Sequence, residues 1–201
     1  MPKKLFYELD DEKRARIIRA ALSEFAQYSY NESSTNRIVK HAGIGKGSLF
    51  KYFQNKKDLY FYILDAITAD LTADLAGEMT NLKGDLFDRT IRYAELEFAW
   101  YMQNPEKYRL FKKAFVKNDT EIFKETEQRY ALEGNEVFYR LFEDVDTREK
   151  EKFLDILKWF LQGFNEAFME EMRTQDNINE VKDAYLKRLN AYMAILKEGL
   201  K

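Results

Sequence analysis

The chain has 201 residues, 45% of them hydrophobic and 34% charged, and a formal net charge of −2. It contains no cysteine, which excludes disulfides, thiolate zinc sites and a cysteine nucleophile, and only two prolines and eight glycines, which leaves long stretches suited to helices. No cationic segment followed by an apolar run opens the sequence and no run reaches membrane-spanning length, so a cytoplasmic protein without a membrane partner is expected.

The first predicted helix takes Asp10 or Asp11 as its N-cap and carries a stripe of Ile17, Ile18, Ala21, Leu22 and Phe25 at helical spacing. Residues 33–53 follow, Ser-Ser-Thr-Asn-Arg-Ile-Val-Lys-His-Ala-Gly-Ile-Gly-Lys-Gly-Ser-Leu-Phe-Lys-Tyr-Phe. They read as two short helices joined by a tight glycine turn. Ser34 or Thr35 supplies a hydroxyl start signal, and Ile38, Val39 and Ala42 form one apolar side. Gly43 stands where the helix must end and positive φ is needed. The second helix, from Lys46 to Tyr52, buries Leu49 and Phe53 by their i, i+4 spacing and leaves Lys46, Ser48, Lys51 and Tyr52 for phosphates or base edges. This is the layout of a helix-turn-helix, whose second helix enters the DNA major groove.

A fourth helix begins near Asn55 and runs through Leu59, Ile63, Ala66, Ile67 and Leu71 toward Met79, as a connector from head to body. Gly84 precedes a fifth that ends near Asn104, and Pro105 is placed as the first residue of a sixth. Asp119 or Thr120 opens the seventh, with Gly134 as a weak point inside it. Asp146 or Thr147 opens the eighth, lined by Phe153, Ile156, Leu157, Phe160, Leu161, Phe164 and Phe168. Asn177 precedes the last, with Ile178, Val181, Tyr185, Leu189, Tyr192 and Leu196 at steps of three or four. No useful strand alternation, repeat or low-complexity segment interrupts these elements, and the expected fold is all-α with about nine helices.

Three stretches, Arg16 to Ala26, Ile38 to Phe53 and Asn55 to Leu59, together resemble the N-terminal domain of the TetR family of bacterial transcriptional regulators. The resemblance implies an all-α homodimer with a three-helix DNA-binding head, taken as residues 1–54, and a larger ligand-binding and dimerisation body, taken as 55–201. The DNA-facing set it implies here is Ser34, Thr35, Lys46, Gly47, Ser48, Phe50, Lys51 and Tyr52, with Lys56 adding a phosphate contact. Two positions depart from the pattern. Gly45 replaces the usual Ser or Thr cap, and Phe50 replaces a frequent Tyr whose hydroxyl would reach a phosphate, so that contact is lost or passes to Tyr52.

Charge supports this division. Residues 1–60 hold twelve Lys or Arg against seven Asp or Glu, an excess of five positive charges, and the remainder holds 21 against 28. A basic head on an acidic body confines phosphate attraction to one end of the molecule. The segment Gly43-Ile-Gly-Lys-Gly-Ser48 is not a P-loop, because Lys46 is followed by glycine, position 40 is Lys and a helix precedes it. His41 is the single histidine, and without a second His or a Cys it is read as a surface residue near a helix end; no metal, cofactor or catalytic residue is expected.

Aromatic residues crowd the middle of the chain. An enclosed, largely apolar cavity between the fourth and eighth helices is expected, walled by Ile63, Ile67, Leu71, Phe98, Tyr101, Phe111, Phe115, Tyr130 and Phe138. Glu95, Glu97 and Glu166 are candidates to meet a cationic ligand. The stripes on the last two helices have two readings: they complete the monomer's core, or, as the resemblance implies and as we favour, they pack against a symmetry mate as a four-helix bundle, with Phe160, Phe164, Tyr185 and Leu189 at the two-fold interface. The function read from these features is a ligand-responsive regulator, a repressor that binds a palindromic double-stranded DNA operator as a homodimer and is released by a small hydrophobic or aromatic effector. The competing readings, an all-α enzyme and a helical adaptor, lack a catalytic motif and leave the basic head unexplained.

Overall fold

Asp10 accepts a hydrogen bond from the Lys13 backbone N–H at 2.8 Å, and this cap opens the first long helix of a chain built almost wholly of helices. A computed structural model describes residues 1–80, 82–116, 119–140, 142–143, 150–172 and 174–199, excluding the side chains of 131–138, 140 and 150. Its helices are α1 (Lys4–Tyr7), α2 (Asp11–Gln27), α3 (Thr35–Ala42), α4 (Lys46–Tyr52), α5 (Lys56–Met79), α6 (Leu86–Gln103), α7 (Pro105–Phe115), α8 (Glu121–Arg140), α9 (Lys150–Glu171) and α10 (Ile178–Gly199). Among the described residues there is no strand.

Helix starts follow side-chain chemistry. Asn55 Oδ1 accepts from the Asp58 N–H, Asp85 Oδ1 from those of Phe87 and Asp88, Thr120 Oγ1 from that of Phe123, and Asn177 Oδ1 from that of Asn179. Pro105 begins α7, as expected. The anticipated start at Asp146 or Thr147 lies outside the described residues. One turn of helix, α1, was not anticipated; its four residues are too few for a periodic pattern.

The chain packs into two compact units, one of residues 1–73 and 104–113, the other of residues 74–103 and 114–201. α5, assigned to the body by a division at 54/55, therefore belongs to the first unit through Ala73. Aromatic contacts account for this: Tyr60 of α5 meets Phe25 at 5.1 Å and Tyr30 at 5.0 Å, and Tyr62 meets Phe6 at 5.3 Å. α7 joins the same unit through Glu106 to Ser23, Lys107 to Asp70 and the Lys113 ammonium to the Gln27 carbonyl.

The second unit is centred on Leu82, Leu86, Phe87, Ala94, Phe142, Leu154, Leu157, Leu189 and Met193, drawn largely from α6, α9 and α10. Gly84 has φ of 97°, and a Cβ there would stand 2.7 Å from that of Asp88, so the turn before α6 requires glycine. Lys197 of α10 pairs with Asp85 at 2.7 Å and Asp88 at 3.3 Å, tying the end of α10 to the start of α6.

Candidate nucleic-acid interface

α3 ends at Gly43, in the left-handed conformation with φ of 65°, whose N–H reaches back to the Lys40 carbonyl while the Ile44 N–H reaches that of Val39. This closes the helix and lets α4 leave at a new angle. Ile38, Val39 and Ala42 of α3 and Leu49 of α4 are buried, as their spacing required. Gly45 is the N-cap of α4 and supplies no side-chain bond.

Lys46, Gly47, Phe50 and Lys51 are exposed, and their i, i+1, i+4, i+5 spacing sets them on one face of α4, with Ser48 partly exposed beside them. A Cβ at Gly47 would meet nothing within 4 Å, so this face is open at its N-terminal end. Lys40 and His41, at the end of α3, are exposed too. Together they offer cationic side chains flanking a bare stretch of helix backbone, a form that can approach a polyanionic groove closely.

Three expected contacts stand differently. Tyr52 is only 5% exposed, its ring packed 6.1 Å from Phe6, so it is a core residue and not the free side chain its position suggested. Helical spacing put it beside Lys51 on the open side; the short α1 covers it. The Lys56 ammonium donates to the carbonyls of Tyr30, at 2.6 Å, and Ser33, at 3.0 Å, and lies 4.4 Å from the centre of the Tyr30 ring. Burial holds its pKa below the ordinary lysine value. Its position is set by the loop before α3, leaving one N–H for any phosphate. Ser34 is the N-cap of α3 but makes no side-chain cap bond; it and Thr35 are partly exposed.

The missing cap is replaced from another helix. Glu24 of α2 is buried, and its Oε1 accepts from the Ser34 N–H at 2.7 Å, one of the donors a helix start leaves unpaired. Both of its oxygens also accept from the Arg37 guanidinium, at 2.5 to 3.0 Å. Arg37 in turn donates to the Glu32 carbonyl at 2.8 Å and lies 4.1 Å from the centre of the Tyr28 ring. Hydrogen bonding to Glu24 raises the Arg37 pKa further. Glu32 accepts from the Ser29 hydroxyl and N–H, which hold its carboxyl below the ordinary range. Sequence reading missed Glu24 and Arg37; a lone glutamate among the apolar residues of the first stripe was the available signal.

A second brace holds α4 at its other end. The Lys3 N–H donates to the Tyr52 carbonyl at 2.7 Å and the Lys3 ammonium to that of Phe50 at 2.9 Å, satisfying carbonyls that the helix end leaves open. Phe6 is fully buried, 4.8 Å from the Phe53 ring.

The residues expected to wall one effector cavity divide between the units. Ile63, Ile67 and Leu71 are buried in the first unit, which also contains Phe111. Phe98, Tyr101, Phe115 and Tyr130 belong to the second, where Phe115 meets Tyr130 at 5.7 Å and Phe98 meets Tyr185 at 5.1 Å. The Phe138 side chain lies outside the described residues. Of the expected interface residues, Leu189 is fully buried in the core of its own unit and has no surface to offer a partner, a correction that follows from α10 packing on α6. Phe160, Phe164 and Tyr185 are partly exposed; Phe164 stacks on Phe160 at 5.7 Å and meets Tyr185 at 5.1 Å. The large apolar side chains that do face outward nearby are Ile156 and Trp159 on α9 and Tyr192 and Ile195 on α10. No described helix is long and apolar enough to cross a membrane.

Residues 17–63 match the family model described as bacterial regulatory proteins, tetR family. An HTH-type transcriptional regulator of Staphylococcus aureus (strain bovine RF122 / ET3-1) is 42% identical over 53 residues, which cover 26% of this chain and 29% of that relative's length. Among solved structures, a TetR family transcriptional regulator from Chloroflexus aurantiacus J-10-FL is 25% identical with a TM-score of 0.59, covering 99% of this chain and 98% of that one. A protein from Syntrophomonas wolfei str. Goettingen, described as a TetR-family transcriptional regulator, is 15% identical with a TM-score of 0.69, covering 92% and 97%. At that identity the likeness is one of fold.

Proposed function

We propose that the chain acts as a repressor of the TetR family of bacterial transcriptional regulators, binding a palindromic operator as a homodimer and leaving it when a small hydrophobic or aromatic effector binds the second unit. The observation that carries this reading is the exposed face of α4, where Lys46 and Lys51 flank the open backbone at Gly47 while Leu49, Tyr52 and Phe53 anchor the opposite side. In this account α4 lies in the major groove. Lys46, Ser48 and Lys51 supply its contacts, Phe50 packs against a sugar or a thymine methyl, and Ser34, Thr35 and the remaining N–H of Lys56 meet phosphates.

Dimerisation is supported by exposed apolar side chains on two neighbouring helices. Trp159 is 67% and Ile195 65% exposed, and Phe160 meets Tyr192 at 5.7 Å, which brings α9 and α10 side by side. Two copies paired through these helices bury both sets around a two-fold axis. An effector then shifts DNA affinity by its preference for one dimer conformation over another.

A footprint on the DNA flanking the protein's own gene tests the reading. Protection of two symmetric half-sites about one helical turn apart is expected; uniform, salt-sensitive protection without a preferred site contradicts it.

A further inference from the structure

Lys3 braces α4 and still carries an unspent charge. Its backbone N–H donates to the Tyr52 carbonyl at 2.7 Å and its ammonium to the Phe50 carbonyl at 2.9 Å. The ammonium is thereby fixed at the C-terminal end of the helix whose exposed face carries Lys46, Gly47, Phe50 and Lys51. An ammonium has three N–H groups, and the Phe50 carbonyl takes one. Lys3 is exposed, so the others are open to solvent. Among the described residues no carboxylate lies within ion-pair distance of it, whereas neighbouring Lys4 stands 3.7 Å from Glu8 Oε1.

Position decides what this charge can meet. The seven residues of α4, rising about 1.5 Å each, make a rod about 10 Å long. The major groove of B-DNA is about 12 Å wide, so a helix of that length laid across it brings its ends near the two phosphate walls. Lys46 stands at one end and the Lys3 ammonium at the other. A bare helix C-terminus is a poor neighbour for phosphate, because its open carbonyls carry partial negative charge. Lys3 covers two of these carbonyls and reverses the sign of that end. A lysine already held at one point also loses less rotamer freedom on meeting a phosphate than a free surface lysine does.

We propose that Lys3 is a DNA-contacting residue: its ammonium bridges the Phe50 carbonyl and a backbone phosphate at the edge of the groove that α4 enters. The segment before α2 then belongs to the DNA interface. This rests on α4 being the DNA-reading helix.

The test is anisotropy titration of the full chain against two labelled duplexes, one bearing the footprinted site and one of mixed sequence, over a series of KCl concentrations. Lys3→Met keeps the apolar stem and the backbone bond to Tyr52 and removes the charge. It should bind both duplexes severalfold more weakly and reduce the slope of log affinity against log salt by about one. Lys3→Gln, which also keeps an N–H for Phe50, should behave the same way. Lys3→Arg should keep the parent slope, and so should Lys4→Met, whose charge is already paired. A bracing role alone would weaken binding without moving the slope. Weaker binding by the uncharged variants at the parent slope therefore overturns the proposal, as does parent-like binding or an equal change of slope in Lys4→Met. Lys46→Ala, measured alongside, separates this failure from that of the regulator reading. A slope that falls for Lys46→Ala but not for Lys3→Met refutes the Lys3 contact alone; parent slopes in both refute the DNA-reading role of α4 with it.

Discussion

Glu24 and Arg37 form a two-oxygen ion pair between α2 and α3 in which the carboxylate is buried and also caps α3 through the Ser34 N–H. One side chain therefore fixes both the start of α3 and its packing on α2. Because α3 carries α4 through the Gly43 turn, the pair also orients the proposed DNA-reading face.

Arg37→Ala leaves a buried carboxylate with a single N–H donor. We expect a clear loss of stability, measured by urea unfolding. Glu24→Gln retains an acceptor for Ser34 and should lose less, about 1–2 kcal/mol. Equal, small losses in the two variants would mean that the pair behaves as a surface salt bridge.

Lys46→Ala and Lys51→Ala should each weaken operator binding and reduce the salt slope by about one, with unfolding unchanged. Lys56→Met should differ: removing bonds to two carbonyls costs about 1–3 kcal/mol of stability. Unfolding curves and salt-dependent anisotropy on the three variants separate these outcomes.

How far this site was legible in the sequence varied with the kind of signal. Helix starts at Asp10, Pro105 and Asn177, the left-handed Gly43 and the buried Ile38 and Leu49 followed from caps, φ requirements and spacing, all of which are local. The roles of Tyr52, Lys56 and Leu189 did not follow. Tyr52 is covered by a helix of four residues, Lys56 is satisfied by carbonyls 23 and 26 positions earlier, and Leu189 is buried by α6. Each depends on what a distant segment does, and periodicity is silent about that.

Phe6→Ala removes a fully buried ring from between Phe53 and Tyr62, at an expected cost of about 3–5 kcal/mol. Since Lys3 holds the last carbonyls of α4, operator affinity should fall in this variant at temperatures where α2 and α3 remain folded. Circular dichroism and anisotropy on one sample check both effects.

Glu97 carries a pH signature. Below pH 4.5 its carboxyl is protonated in both folded and unfolded chains. From there to about pH 7 the folded chain keeps a proton that the unfolded chain has released, so stability falls as pH rises through that window and stays lower above it. Burial is what holds that proton, so Glu97→Gln should match the parent near pH 4 and exceed it by about 3 kcal/mol at pH 8 in urea unfolding. A constant difference across the range would contradict an enclosed carboxyl.

Trp159→Asp, on the exposed stripe of α9, should give monomers that keep their helical content and bind operator poorly, because one head reads half a site. Sedimentation of the variant as a dimer would remove α9 from the interface.

If α4 reads DNA in a two-fold complex, both the stoichiometry and the role of Lys46 are measurable on one duplex. Sedimentation velocity of the chain with a duplex carrying its footprinted site, beside the Lys46→Ala variant, tests that most directly. Two chains per duplex are expected, with weaker binding by the variant at the same stoichiometry. One chain per duplex, or equal binding by both proteins, would contradict it.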